Sequence, residues 1–161
     1  MAVNFLWYAG TGNSGLLATA FNLQSTELNT LTTGSIAVSS VGGTSGVFSQ
    51  VSTGQAIWGE IFLTLGAIGS ALSAGANMAG WWVQSYDGGT TFEQSAVVEA
   101  RSPDFIVPLP ATTIGAASIY KAAGLVRLPA LQFKVMLQNN TGQSLAATAN
   151  TVKLAPIAAQ Y

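Results

Sequence analysis

The stretch LQFKVMLQNNTG, residues 131–142, decides the fold of this 161-residue chain. Apolar side chains occupy every second position of its first half, at Leu131, Phe133, Val135 and Leu137. Successive side chains of a β-strand point to opposite faces of the sheet, so this spacing predicts a strand with one buried face. The run Asn139-Asn140-Thr141-Gly142 then predicts a turn.

Similar short apolar segments recur along the chain between turns that are rich in glycine, proline or asparagine. They are residues 36–41, 47–51, 56–65, 81–86, 92–99, 105–109, 116–120, 125–128, 143–147 and 150–154. About eight strands separated by such turns predict an antiparallel all-β sandwich or barrel. The lack of a regular strand–helix alternation argues against a parallel α/β sheet.

The segment at residues 81–99 predicts a β-hairpin with a strand on each side of a tight turn. Glycine suits this turn because it accepts positive φ angles without a Cβ clash. The turn residues are Asp87, Gly88 and Gly89. The adjacent Trp81 and Trp82 must point to opposite faces of the sheet. One of them can lie in the core, so the other needs cover from a helix, an arm or a neighbouring subunit.

The chain is expected to fold as a single domain in which residues 1–33 form an N-terminal arm and residues 34–161 form the sandwich. Within the arm, residues 16–31 predict a short amphipathic helix, because large side chains recur at three- and four-residue steps. Threonine and asparagine, which are poor helix formers, are frequent in the same window.

Composition excludes several kinds of chemistry. The chain has no histidine and no cysteine, which excludes zinc sites, haem ligation, thiol nucleophiles and histidine-based triads. Its net charge of −1 argues against nucleic acid or an anionic membrane as a partner. Residues 61–83 carry no charge, but glycine and serine interrupt them, so two strands joined by a loop are favoured over a transmembrane helix. No lysine or arginine occurs before Arg101, so the chain lacks the basic first segment of a secretory signal, and no such signal is expected.

Three residue patterns could carry chemistry, and each has a structural alternative that we favour. Gly10, Gly12 and Gly15 match a dinucleotide-binding pattern, but the acid expected about 20 residues later is missing, which favours a plain turn. Four carboxylates could include a glycosidase pair or could simply serve turns and strand surfaces: Asp87, Glu93, Glu99 and Asp104. Four aromatic side chains could stack on sugars or could pack in the core: Trp58, Trp81, Trp82 and Tyr86. We therefore expect no enzyme activity, no catalytic residues, no cofactor and no metal.

Four segments, taken in order, resemble the small jelly-roll cement or decoration proteins of tailed-bacteriophage heads. They are LLATAFNLQSTELNTLTTGS (16–35), SYDGGTTFE (85–93), PDFIVPLP (103–110) and LPALQFKVMLQNNTGQSLAATANTVK (128–153). The resemblance implies a jelly-roll β-sandwich that binds the major capsid protein on the outer surface of the virion, after synthesis in the host cytoplasm. It also implies oligomers near the symmetry axes of the capsid and no catalytic residues.

An assembly role agrees with the composition, because burying ions at an interface is costly and this chain has few. The aromatic N-terminus suits insertion into a neighbour's groove or pairing with an edge strand. We predict an assembly interface at Phe5, Leu6, Trp7, Tyr8, Trp82 and Tyr161. The expected partners are the major capsid protein and further copies of the chain, as a dimer or trimer. A neck or tail protein and a carbohydrate-binding sandwich stay as alternatives.

Overall fold

The computed structural model describes residues 4–7, 21–39, 46–48 and 56–160, with the backbone alone for residues 4–7 and 158–160. Ten strands lie in this part of the chain: β1 (Asn4–Trp7), β2 (Phe21–Gln24), β3 (Ile36–Val38), β4 (Trp58–Leu65), β5 (Asn77–Gln84), β6 (Phe105–Pro108), β7 (Ser118–Lys121), β8 (Val126–Arg127), β9 (Phe133–Asn140) and β10 (Thr151–Gln160). Two short helical segments accompany them, a 3-10 turn at Thr26–Leu28 and the helix α1 at Ser95–Glu99.

The strands form two antiparallel sheets. The six-stranded sheet has the order β1-β10-β4-β7, with β2 also paired to β10 and β8 also paired to β4. The four-stranded sheet has the order β3-β9-β5-β6. From β2 onward, every connection crosses from one sheet to the other except β5–β6 and β7–β8, which is the connectivity of a jelly roll. The predicted all-β antiparallel sandwich is confirmed.

The core lies between the two sheets and follows the predicted alternation. On β4, the inward residues Ile61, Leu63 and Leu65 are fully buried. On β9 the alternation is confirmed from Phe133 onward, whereas Leu131 precedes the strand and is 41% exposed. Each large apolar side chain buried in this way contributes roughly 1.5–3 kcal/mol.

Trp82 of β5 joins this core. Its ring lies 4.8 Å from the ring of Phe133 and 5.0 Å from that of Phe105, between ring centres. Its indole N–H donates to the carbonyl of Arg127 at 3.0 Å. A Cβ at Gly80 would lie 2.2 Å from the Phe105 ring, so only glycine allows this ring to approach β5.

The amphipathic helix predicted over residues 16–31 is wrong for the described part of that segment. Its residues form β2 and then a single 3-10 turn at Thr26–Leu28. Tertiary contacts override the helical spacing, because Leu23 is fully buried in the core and the Gln24 side-chain amide donates to the carbonyl of Ala37 at 2.9 Å. Both β1 and β2 pair with β10, so these two strands of the expected arm belong to the six-stranded sheet.

Two of the predicted strands are wrong. The turn at residues 87–89 is present, with a single bridge between Ser85 and Phe92, but residues 95–99 form α1 instead of a returning strand. Residues 143–147 form no strand, and their backbone is held by separate bonds such as that from Leu145 N–H to the carbonyl of Leu31. In the segment at 47–51, Phe48 bridges to Phe133, and residues 49–51 lie outside the described residues.

Candidate functional site

The chain's own helix covers the outward face of the four-stranded sheet over part of β5 and β9, whereas Ile106 of β6 on the same side is 46% exposed. We call this face the capped face. Trp81 and Val83 of β5 and Met136 of β9 point outward, yet they are at most 3% exposed. Val98 of α1 is fully buried against them. The indole N–H of Trp81 donates to the carbonyl of Arg101 at 2.9 Å. The cover that the sequence demanded for one of the two adjacent tryptophans is therefore this helix.

Beyond its pairing with β6, the edge of β5 is occupied by side chains instead of a neighbouring strand. The Asp104 carboxylate accepts the N–H of Trp82 at 2.8 Å, and the Glu93 carboxylate accepts the N–H of Gln84 at 2.9 Å. Arg101 lies 3.4 Å from Glu93 and 3.9 Å from Asp104 and also donates to the carbonyl of Trp82. These contacts hold the segment after the turn against β5 and leave no backbone edge there for a returning strand.

Asp87 holds the turn itself. Its carboxylate accepts the N–H of Thr91 at 2.7 Å, the N–H of Thr90 at 3.1 Å and the hydroxyl of Ser85 at 2.8 Å. These bonds, of which the backbone bond from Thr91 is the strongest, favour the ionised form and lower the pKa of Asp87 from its ordinary 3.8 to about 2. The role predicted for Asp87, Gly88 and Gly89 in a structural turn agrees with this geometry, and Gly88 has a φ of 76°.

The four carboxylates that were candidates for catalysis all lie beside the four-stranded sheet. We call these four the acid layer: Asp87, Glu93, Glu99 and Asp104. Three of them accept hydrogen bonds from the backbone, as described above. Glu99 is exposed at the last residue of α1. Among the described residues, no group of three or more acidic side chains is arranged to hold a metal ion.

The outward face of the six-stranded sheet carries alternating aromatic and charged side chains. On β4, Trp58, Glu60 and Phe62 point outward, because the residues between them point into the core. Lys121 of β7 and Lys153 of β10 stand opposite Phe62, one on each side. Directly opposed residues in antiparallel strands share a face and interact. Glu60 and Lys121 form an ion pair.

Large apolar side chains on this face remain exposed. Trp58 is 38% exposed, and Ile119 of β7 and Leu125 next to β8 are each 53% exposed. Arg127 of β8 stands opposite Trp58. We call the exposed surface formed by β4, β7, β8 and the neighbouring Lys153 the open face.

The open face is limited to one part of its sheet. Ala155 and Ile157 of β10 stand opposite Glu60 and Trp58 on the same outward face, but each is only 5% exposed. The exposed surface therefore lies toward the edge formed by β7 and β8. In the described ranges no helix packs on it, whereas α1 packs on the capped face.

The two sides of the sandwich carry opposite net charge. The open face has three cations against the single carboxylate Glu60, a net charge of +2, whereas the capped side has the four acids against two cations, a net charge of −2. The cations are Lys121, Arg127 and Lys153 on the open face and Arg101 and Lys134 on the capped side. The sixth acid, Glu27, belongs to the 3-10 turn after β2. Burial lowers the pKa of Lys134, whose ammonium group lies 4.5 Å from the centre of the Phe92 ring.

A shallow depression of about 250 Å³ lies between the end of β5 and β8 and opens broadly to solvent. Its lining residues are Trp82, Gln84, Asp104, Arg127, Leu128, Pro129 and Ala130. The Asp104 carboxylate in this depression already accepts the Trp82 N–H, so it serves the fold rather than a ligand.

The residues predicted to form an assembly interface fall in different places. Trp82 is 3% exposed, which puts its side chain in the core rather than on an assembly surface. Phe5, Leu6 and Trp7 lie in β1, whose backbone pairs with β10 of the same chain. Other sequence candidates lie outside the described residues: Tyr8, Tyr161, Gly10, Gly12 and Gly15.

The chain matches no protein-family model, no curated protein and no solved structure. None of the helices in the described ranges has the length and apolar character needed to cross a membrane. Among the surfaces described above, the open face combines exposed apolar side chains with charges and is the candidate binding surface. Sequence reasoning missed it because its charged residues are far apart in the chain and come together only through strand register.

Proposed function

We propose that the protein is a virion structural protein that binds the outside of a tailed-bacteriophage head and cements the capsid through non-covalent contacts. The ordered resemblance to head cement proteins supports this, and a jelly-roll sandwich is the fold that the resemblance implies. The hydrogen bonds of Asp87, Glu93 and Asp104 to the backbone also support a structural role over catalysis.

The observation that carries the proposal is the open face. A sandwich that covers Trp81 with its own helix leaves Trp58, Ile119 and Leu125 exposed on the opposite side. Exposed apolar side chains grouped on one surface mark interaction sites. A protein that binds only the assembled shell stabilises it by mass action, and many copies with modest contacts give a large total effect.

The test is to add the purified protein to phage heads that lack it and to measure the temperature at which the shells rupture. We expect the rupture temperature to rise with the wild-type chain and to rise less with the Trp58→Ser variant. Leu131→Ser is the matched control, because Leu131 is similarly exposed but belongs to no strand of the open face. Shells that neither bind the protein nor gain stability would refute the proposal.

A carbohydrate-binding module is the second candidate, because Trp58 is exposed on a flat sheet face beside Arg127. Aromatic rings in such positions stack on sugars. A glycan array decides between the candidates: binding that the Trp58→Ala variant abolishes would favour this module, and silence of the array would remove it.

A further inference from the structure

We propose that the open face binds the capped side of a second copy of the same chain, at Glu99 and Val97 of α1, so that copies stack head to tail. This inference rests on the adhesive role proposed above and names a partner for the surface that carries it. The partner is chosen by charge: the open face has a net charge of +2, and the capped side of the same molecule has a net charge of −2.

Three charged side chains are available for contacts between copies, of which Arg127 and Glu99 are exposed and Lys153 is half-buried. In the described part of the chain, Arg127 and Lys153 on the open face and Glu99 on α1 form no ion pair. Lys121 is already paired with Glu60, and Arg101 with Glu93. Charges left unpaired within one molecule are the ones that can pair across an interface at the smallest desolvation cost.

Apolar side chains accompany these charges on both sides. Trp58 and Ile119 are exposed on the open face, and Val97 of α1 is 64% exposed beside Glu99. Each side therefore combines exposed apolar area with charge of one sign, and the signs are opposite. Such an arrangement fixes the partner's orientation, because like faces repel each other.

The geometry determines the kind of assembly. The open face and α1 lie on the outward faces of different sheets, although Arg127 and Asp104 line one depression at the flank between them, so a contact between the two surfaces is heterologous and leaves one free surface of each kind. Repetition of such a contact gives an open stack rather than a symmetric dimer.

The size of the open face limits the affinity. The strands β10, β4 and β7 lie about 4.8 Å apart and β4 spans about 27 Å, which gives a few hundred square ångströms of flat area. This is below the roughly 800 Å² per partner of a standard stable interface. The association is therefore weak on its own, strongly dependent on salt, and strengthened where a shell concentrates the copies.

Sedimentation velocity over a concentration series tests this on the purified full chain. At low salt, we expect larger species to form as the concentration rises, and high salt should reverse this. The variant with Arg127→Glu and Lys153→Glu should weaken association about tenfold or more, and so should Glu99→Lys. The variant with all three changes should associate more strongly than the double variant, because Glu99→Lys brings the capped side from a net charge of −2 to zero and so removes its repulsion from the reversed open face.

A matched control separates this pairing from a general effect of charge. Ala111→Glu with Thr113→Glu adds negative charge to the exposed loop between β6 and β7, outside the strands of the open face and outside α1, and should leave association unchanged. Far-ultraviolet circular dichroism checks that each variant folds. A wild-type chain that stays monomeric at every concentration and salt would overturn the inference, and so would a triple variant that associates no more strongly than the double variant.

Binding of a different ligand to the open face can be tested with the same protein and variants. Wild-type chains that stay monomeric but bind heparin or single-stranded DNA through Arg127 and Lys153 would overturn stacking in favour of an anionic ligand. Failure here is distinct from failure of the proposed function. A monomeric chain that still stabilises shells refutes the stacking alone, and a stacking chain without effect on shells refutes the cementing role alone.

Discussion

The outward faces of the two sheets are built from similar strands but differ in what covers their tryptophan side chains. On the four-stranded sheet, Trp81 and its neighbours are covered by α1, and the indole N–H is bonded to the chain's own backbone. On the six-stranded sheet, Trp58 keeps 38% of its surface exposed beside Arg127. The first face is covered by the chain itself, whereas the second keeps large apolar side chains exposed. The contrast between these two tryptophans teaches that outward aromatic residues of one sandwich can be covered by the chain's own helix on one sheet and stay exposed on the other.

The largest difference between the faces should appear on removing the two tryptophans. Trp81→Ala should lower the free energy of unfolding by about 3–5 kcal/mol, because it leaves a cavity under α1. Trp58→Ala should cost about 1 kcal/mol or less, since much of that ring is in water already. Urea unfolding followed by circular dichroism measures both, and equal losses would contradict the distinction between the faces.

A second comparison lies within α1 itself. Val98 is fully buried against the capped face, whereas the adjacent Val97 is 64% exposed. Val98→Ala should destabilise the fold by about 2 kcal/mol, and Val97→Ala should have almost no effect. If both changes were neutral in thermal and urea unfolding, α1 would not be the cover that we describe.

The two arginines give a third, smaller comparison. Arg101 bonds to Glu93 and to the carbonyl of Trp82 at the edge of β5, whereas Arg127 is exposed on the open face. Arg101→Met should cost about 1 kcal/mol of folding stability, a magnitude typical of partly exposed polar contacts. Arg127→Met should leave stability unchanged and weaken self-association instead. The reverse result would show that the charges on the open face serve the fold.

The smallest effect concerns pH. The folded pKa of Asp87 is about 2, below its ordinary value of 3.8, so its carboxylate stabilises the folded state above pH 4. That stabilisation is lost as the pH falls from about 4 through 2. We expect Asp87→Asn to be less stable than the wild type at neutral pH, with the difference disappearing near pH 2. A difference that does not change over this range would mean that the turn does not depend on the charge.

Much of the fold could be predicted from local patterns. The alternation of apolar side chains at residues 131–137 predicted the inward face of β9 from Phe133 onward. The returning strand at 92–99 failed because side chains distant in sequence, among them Asp104, take the hydrogen bonds at the edge of β5. The periodicity of one segment carries no information about side chains from elsewhere in the chain that bind its backbone.

The open face could not be predicted for a related reason. Phe62, Lys121 and Lys153 are neighbours only because β7 and β10 pair with β4 in one register. A shift of one residue would turn these side chains into the core, and no local pattern specifies which register forms. The sequence showed that the chain has few charges, but it did not show that most of its cations share one side.

Hydroxyl-radical footprinting of the associated and the dissociated protein tests most directly the claim that the open face is where copies bind. On association, the oxidation rates of Trp58, Ile119 and Leu125 should fall several-fold, together with that of Val97 on the opposite side, while the buried Trp81 stays unreactive in both states. If Trp58 reacted at the same rate in both states, the open face would not be a binding surface.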